Sequence, residues 1–339
     1  MIRQNHLRRR HMRTIFYSAL GAATDVLQLG DIDTPSPAAD DVVVEIRFSG
    51  VNPSDVKSRQ GSGSGKPAFD KIIPHSDGSG IITAVGKDVP ETRIGERVWI
   101  WNGQWQRPFG TAASHIVLHH TQAVALPDAV SFETGAILGI PGLTAAHAVF
   151  GNGDVTGTTV LIQGGGGTVG LLAVQLAKWG GAKVIATCSE PDMEACRAAG
   201  ADHVFDYRDP ALVANVIASN DGALMDRIVE VEFGVNIAID TTLIKPNGII
   251  AVYGSAKSLK PEVPFREMLF KAVTLDIILI YLLPLEQRLQ IIERLNDALT
   301  ANALECPVAK VFPLDQTIAA HELVESGVRD GAVLIDVSS

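Results

Sequence analysis

Gly165, Gly167 and Gly170 stand in the spacing G-x-G-x-x-G, with Thr168 and Val169 inside it. The motif directly follows the apolar run Thr159–Gln163 and opens the segment Val169–Lys178. Glycine at these places has a chemical reason. The first makes a tight turn, the second lets the backbone approach a pyrophosphate, and the third lets a helix pack closely on a strand. Free N–H groups and the helix dipole then hold the anion. The same spacing also serves as a plain structural turn; the strand before it and the helix after it favour a dinucleotide ligand. An acid roughly 20 residues further on would bind a ribose 2′-hydroxyl. Ser189 stands just past the next strand, and Glu190 follows it. A serine leaves room for a 2′-phosphate, whereas an inward Glu190 repels one. With Pro191 behind it, Glu190 reads equally well as an acid favoured by a helix N-terminus.

The elements that position this turn alternate. Strands are expected at Thr159–Gln163, Lys183–Thr187, His203–Asp206, Ile228–Val231, Ile249–Val252 and Leu275–Tyr281, and helices at Val169–Lys178 and Glu194–Ala199. Such βαβ alternation predicts an α/β fold with a doubly wound parallel sheet. Residues 14–130 have a different texture. Short β-rich runs at Val42–Ile46, Gly80–Val85 and Arg97–Trp101, bounded by Gly, Pro and Asp, predict antiparallel structure. Gly61–Gly65 reads as a flexible loop by composition. The helix Glu286–Thr300 and strands near Val308 and Val333–Val337 are expected to return to the first domain. The organisation predicted is an extension over 1–11, a β-rich domain over 12–139 and 284–339, and a nucleotide domain over 140–283.

Composition closes off other classes. The chain of 339 residues carries net charge −10, and Arg3, Arg8, Arg9, Arg10 and Arg13 all fall in its first 13 residues. The remainder holds 23 basic and 38 acidic residues, a net −15, which opposes binding to nucleic acid or anionic membrane. No apolar stretch of secretory type follows the arginines. Val155–Ala177 has 23 uncharged residues, yet four consecutive glycines, Gly164–Gly167, would break a lipid-embedded helix. Cys188, Cys196 and Cys306 include no CxxC pair and read as reduced, cytoplasmic thiols.

With these motifs in place, the chain resembles the medium-chain dehydrogenase/reductases, in the zinc-independent quinone oxidoreductase branch related to zeta-crystallin. The resemblance runs from about residue 12 to the end. It rests on Gly50–Arg59, Gly95-Glu96-Arg97-Val98-Trp99, Gly110-Thr111-Ala112-Ala113, Gly142-Leu143-Thr144-Ala145, Ala320-His321-Glu322 and Glu325-Ser326-Gly327. It implies a GroES-like catalytic domain joined to a Rossmann domain, with NADPH in the cleft between them. NADH is the alternative, because Met193 and Ala332 fall where relatives often carry a basic residue; Arg208 or Arg329 would have to substitute. Further cofactor contacts implied by the family are Asn52, Thr144, Tyr207, Asn236, Gly254 and Ser255.

The catalytic-zinc ligands of the family's alcohol dehydrogenases match Asn52, Ser76 and Ile140, none of which offers thiolate, imidazole or carboxylate. The structural-zinc cysteines are missing from residues 96–115. His75, Asp77, His115, His119 and His120 make a poor substitute, since His119 and His120 would point to opposite faces of a strand. The expectation is therefore no metal. Direct hydride transfer to a quinone or an α,β-unsaturated carbonyl remains, with hydrogen-bond donors stabilising the oxyanion. Asn52 and Lys57 are the candidate donors, and Tyr281 a candidate pocket residue. For Lys57, pairing with Asp55 or facing solvent is the equal alternative; Asp55 and Arg59 read as an ion pair or loop organisers. Alternative functions are a nucleotide- or RNA-binding zeta-crystallin-like protein, or an enoyl-thioester reductase. Leu275–Tyr281 reads as an apolar edge strand, and the resemblance, in which relatives pair this strand across a two-fold axis, implies a homodimer.

Overall fold

A computed structural model describes residues 11–61, 65–328 and 330–338. Residues 1–10, the centre of the Gly61–Gly65 loop and Arg329 lie outside these. Two compact units divide the chain: residues 1–140 with 307–339, and Pro141–Cys306.

The first unit begins with a ribbon of β1 (His11–Phe16) and β2 (Gln28–Asp33). Five strands follow: β3 (Asp41–Val51), β4 (Asp77–Val85), β5 (Arg97–Ile100), β6 (His115–His119) and β7 (Ala123–Ala125). The second unit contributes β8 (Thr159–Gln163), β9 (Lys183–Cys188), β10 (His203–Asp206), β11 (Met225–Glu230), β12 (Ile244–Val252) and β13 (Thr274–Ile277). Back in the first unit, β14 (Val308–Pro313) and β15 (Ala332–Asp336) close its sheet in the order β14-β15-β3-β4-β5-β7, with β6 also on β3. β3 places Val42, Val44 and Ile46, on one face of the strand, in the core with Ile82, Val98, Ile116 and Leu118.

In the second unit all strand pairs are parallel, in the order β10-β9-β8-β11-β12-β13. The order reverses between β8 and β11, which in an open α/β sheet is where ligands bind, beyond the carboxyl ends of the strands. β8 is buried along its whole length. Its helix, Thr168–Trp179, buries Leu171, Leu172, Val174 and Leu176, and keeps Lys178 at its dipole-favoured C-terminal end.

Two boundaries differ from the sequence reading. The return to the first unit comes at Pro307, not at residue 284. The helix Leu285–Thr300 belongs to the second unit because its apolar stripe, Ile291, Ile292, Leu295 and Leu299, is buried there. β13 stops at Ile277, and Tyr281 lies in a short 3₁₀ turn, Ile280–Leu282, closed by the Leu282 N–H on the Leu279 carbonyl at 2.8 Å. Apolar periodicity alone does not separate a strand from a turn that buries Ile280.

Candidate active site

In the first unit the helix Pro53–Gln60 is set by its N-terminus. Asn52 is the extended N-cap residue and Pro53 takes the first helical position, where its missing N–H costs nothing. The Asn52 N–H donates to Asp55 Oδ2 at 2.8 Å. The Asn52 side-chain amide donates to Asp77 Oδ2, at the start of β4, at 2.7 Å. All three residues are buried. Burial pushes the Asp77 carboxyl well above the usual carboxylate range, and the neighbouring Asp55 pushes the same way. Burial raises Asp55 to about 7 against the lowering effect of the Asn52 and Ser76 N–H groups. One Asn52 amide proton is thus committed to Asp77, which fixes the amide plane.

A second polar chain runs through the same unit. Arg59 Nε donates to His321 Nδ1 at 3.4 Å, which leaves the His321 proton on Nε2. That proton points at His75 Nε2, 2.9 Å away, so His75 carries its own proton on Nδ1, toward Ser49 Oγ at 2.8 Å. The Ser49 hydroxyl meets Thr111 Oγ1 at 2.7 Å, and the Thr111 hydroxyl donates to the Asp77 carbonyl. Arg59 also binds Glu325 and the Gly21 carbonyl. His75 holds φ = +77°, a conformation costing a non-glycine residue about 1 kcal/mol, within a fully buried hydrogen-bond network. Burial, then His321, holds His75 well below 6.5; burial, then Arg59, lowers His321 to about 3. Both imidazoles are neutral at pH 7.

Of the residues expected to act beside Asn52, Lys57 is exposed on the solvent side of its helix. Asp55 and Arg59 do not pair: Asp55 binds the Asn52 N–H, and Arg59 binds Glu325. The His119 and His120 rings lie 4.7 Å apart rather than on opposite faces, because β6 ends at His119 and His120 begins a 3₁₀ turn. Among the described residues no group of three or more His, Cys, Asp or Glu side chains is placed to hold a metal ion. Zinc does not fit the positions the family uses for it: Asn52 offers an amide already bound to Asp77, and Ile140 offers no donor atom.

In the second unit the glycine turn joins β8 to its helix. A Cβ on Gly170 would overlap the Gly164 carbonyl oxygen, so only glycine allows this close packing. Gly167 is the exposed, extended N-cap residue, and no side chain caps the helix. The first-turn N–H groups of Thr168, Val169 and Gly170 therefore have no intrahelical acceptor, as an anion site requires. Gly165 is buried against Ala186 and Cys196. The turn fits a dinucleotide pyrophosphate.

The remaining expected contacts divide. Ser189 follows β9, and its hydroxyl donates to Asp192 Oδ2. Asp192 was missed in the sequence; its Oδ2 lies 2.8 Å from where a Cβ on Gly166 would stand. Tyr207 is half exposed just after β10, stacked under the Arg208 guanidinium. Asn236 donates its amide to both Glu230 oxygens, at 3.1 and 3.2 Å, at the end of β11. Glu230 joins a buried group with Asp240, and Gln163 donates to Asp240 at 3.0 Å. Ser255 accepts from the Gly234 N–H at 2.9 Å and donates to the Ser258 carbonyl at 2.5 Å. Gly254 packs against the Val231 carbonyl, closing the same loop. Thr144 is buried in the helix Leu143–Phe150.

Comparison with known proteins agrees with this architecture. Residues 38–128 match the alcohol dehydrogenase GroES-like domain, and residues 168–295 match the zinc-binding dehydrogenase family. A chloroplastic quinone-oxidoreductase homolog of Spinacia oleracea is 31% identical over 233 residues, covering 66% of this chain and 69% of its own length. The quinone oxidoreductase of Rattus norvegicus is 28% identical over 315 residues, 92% of this chain and 94% of that one. Among solved structures, an NAD-dependent alcohol dehydrogenase superposes with a TM-score of 0.84 at 25% identity, over 96% of this chain and 99% of the other. The chain belongs to the medium-chain dehydrogenase/reductase family, with a GroES-like domain and a Rossmann-like parallel sheet.

Proposed function

We propose that this protein is a reductase that passes a hydride from a nicotinamide dinucleotide to a quinone or an α,β-unsaturated carbonyl, without zinc. The observation that carries the reading is the Asn52 amide, held on Asp77 at 2.7 Å at a position where the family's alcohol dehydrogenases keep a zinc ligand. Asn52, Ser76 and Ile140 offer zinc no thiolate, imidazole or carboxylate, so these positions do not supply the Lewis acid that alcohol oxidation uses. An electron-poor acceptor needs less help.

The dinucleotide, when bound, supplies the hydride. The glycine turn would hold its pyrophosphate through the N–H groups of Thr168, Val169 and Gly170. Asn52, whose amide Asp77 orients, is the proposed donor to the oxygen on which charge would grow during hydride transfer. The product then takes a proton from water. Lys57, exposed on its helix, is proposed to add a positive charge to the catalytic reaction, and Tyr281 is proposed as an acceptor contact.

Relatives named quinone oxidoreductases and the free thiols Cys188, Cys196 and Cys306 together support a reductase of a reducing compartment. Among the described residues no helix is long and apolar enough to cross a membrane. Oxidation of NADH and NADPH against a quinone, a 2-alkenal and an enone tests the reading. Turnover of one of these acceptors is expected. Alcohol oxidation exceeding all three would overturn it.

A further inference from the structure

The residues beyond β9 bear on which dinucleotide binds. In a Rossmann sheet the end of this second strand meets the adenosine ribose, where an acid accepts the 2′-hydroxyl of NADH and a base accepts the 2′-phosphate of NADPH. Here the chain places Ser189, Glu190 and Asp192 in one turn, Glu190–Asp192, directly after β9. The Ser189 hydroxyl is already committed to Asp192 and is not free to serve a phosphate. The Asp192 carboxylate reaches back over Gly166, inside the motif that holds the pyrophosphate.

Among the described residues, the nearby cations Arg208 and Arg197 are held by other carboxylates. Arg208, after β10, forks onto Asp206 through Nε and Nη2, both at 3.0 Å. Arg197 pairs with Glu194 at 3.3 Å. Met193, the first residue of the next helix, brings no charge. A 2′-phosphate here would meet the Asp192 carboxylate, with exposed Glu190 in the same turn, and to gain Arg208 it would have to draw that side chain off Asp206.

We infer that this chain selects NADH over NADPH, with Asp192 as the selecting residue that accepts the adenosine-ribose 2′-hydroxyl. The inference rests on the dinucleotide reading of the glycine turn and reverses the NADPH preference that the family resemblance implies.

Equilibrium binding of NADH and NADPH to the full chain, followed by calorimetry without acceptor, tests it. NADH is expected to bind at least about tenfold more tightly, the gap of one charge-assisted hydrogen bond. The gap should narrow with added salt, since it is partly repulsive. Asp192→Asn keeps the side-chain shape and should shift the ratio toward NADPH about tenfold; Glu190→Gln should shift it less. Equal binding, or tighter NADPH binding by the unmodified protein, overturns the inference and leaves the dinucleotide reading standing. An unchanged ratio in folded Asp192→Asn overturns the assignment to Asp192. Binding of neither dinucleotide overturns the dinucleotide reading itself, and the inference with it.

Discussion

The Asn52 amide donates to Asp77 Oδ2 at 2.7 Å across 25 residues of sequence, joining a helix cap to the first residue of β4. Asp77 is buried, and burial, then Asp55, pushes its carboxyl well above the ordinary range. On this account Asp77→Asn, which still offers an oxygen acceptor, should change kcat less than about threefold. Asp77→Ala should lower kcat by about tenfold, and Asn52→Ala by about a hundredfold, the usual cost of one oxyanion donor. Steady-state kinetics with dinucleotide affinity measured separately checks this: Kd should stay within about twofold.

Lys57 offers a cleaner separation of roles, because its exposed side chain can be removed without disturbing packing. Lys57→Ala should lower kcat by about tenfold with cofactor affinity unchanged if its charge serves the oxyanion. A change confined to cofactor Kd would remove it from that role.

The His75–His321 pair makes a pH prediction. His321 sits near 3 in the fold, against an ordinary 6.5, because burial and then Arg59 disfavour its charged form. A depressed native value adds stability that is present above about pH 6.5 and drains away as pH falls toward 3. His321→Ala leaves His75 Nε2 and Arg59 Nε without this partner and should cost about 3 kcal/mol at pH 7. Its melting temperature should also fall less than that of the unmodified protein between pH 7 and pH 5.

Asp55 acts with the opposite sign. Its native value of about 7 lies above the unfolded 3.8, so the stability it contributes is complete below pH 4 and lost as pH rises through 7. Asp55→Asn can still accept the Asn52 N–H. Relative to the unmodified protein, it should be more favourable at pH 8 than at pH 5, by at most about 2.5 kcal/mol. Urea unfolding at the two pH values reads the difference.

β13 forms the edge of the parallel sheet, and Ile277 on it is 73% exposed. Phe270, Leu279 and Leu282 add to the same exposed apolar stretch of chain. An unpaired edge of this kind invites a second copy. Light scattering should give the mass of a dimer, and Ile277→Lys should give a monomer; a monomeric unmodified protein would defeat the proposal.

Local pattern made some of this legible. β8 and β10 lie at Thr159–Gln163 and His203–Asp206, as their apolar runs predict, and the glycine spacing identifies its own turn. What escaped was long-range. His75 and His321 are 246 residues apart, and no periodicity links them. Asp192 has no local signal that marks it, and only the fold lays it over Gly166. The end of β13 was misplaced for a related reason: a buried isoleucine in a turn has the same hydropathy as one in a strand.

The central claim is hydride transfer without zinc at the Asn52–Asp77 site. Its most direct test is quinone and enone reduction by protein dialysed against chelator, with zinc content measured on the same sample. The account predicts full turnover with zinc far below one equivalent per chain. Activity lost on chelation and restored by one equivalent of zinc would contradict it.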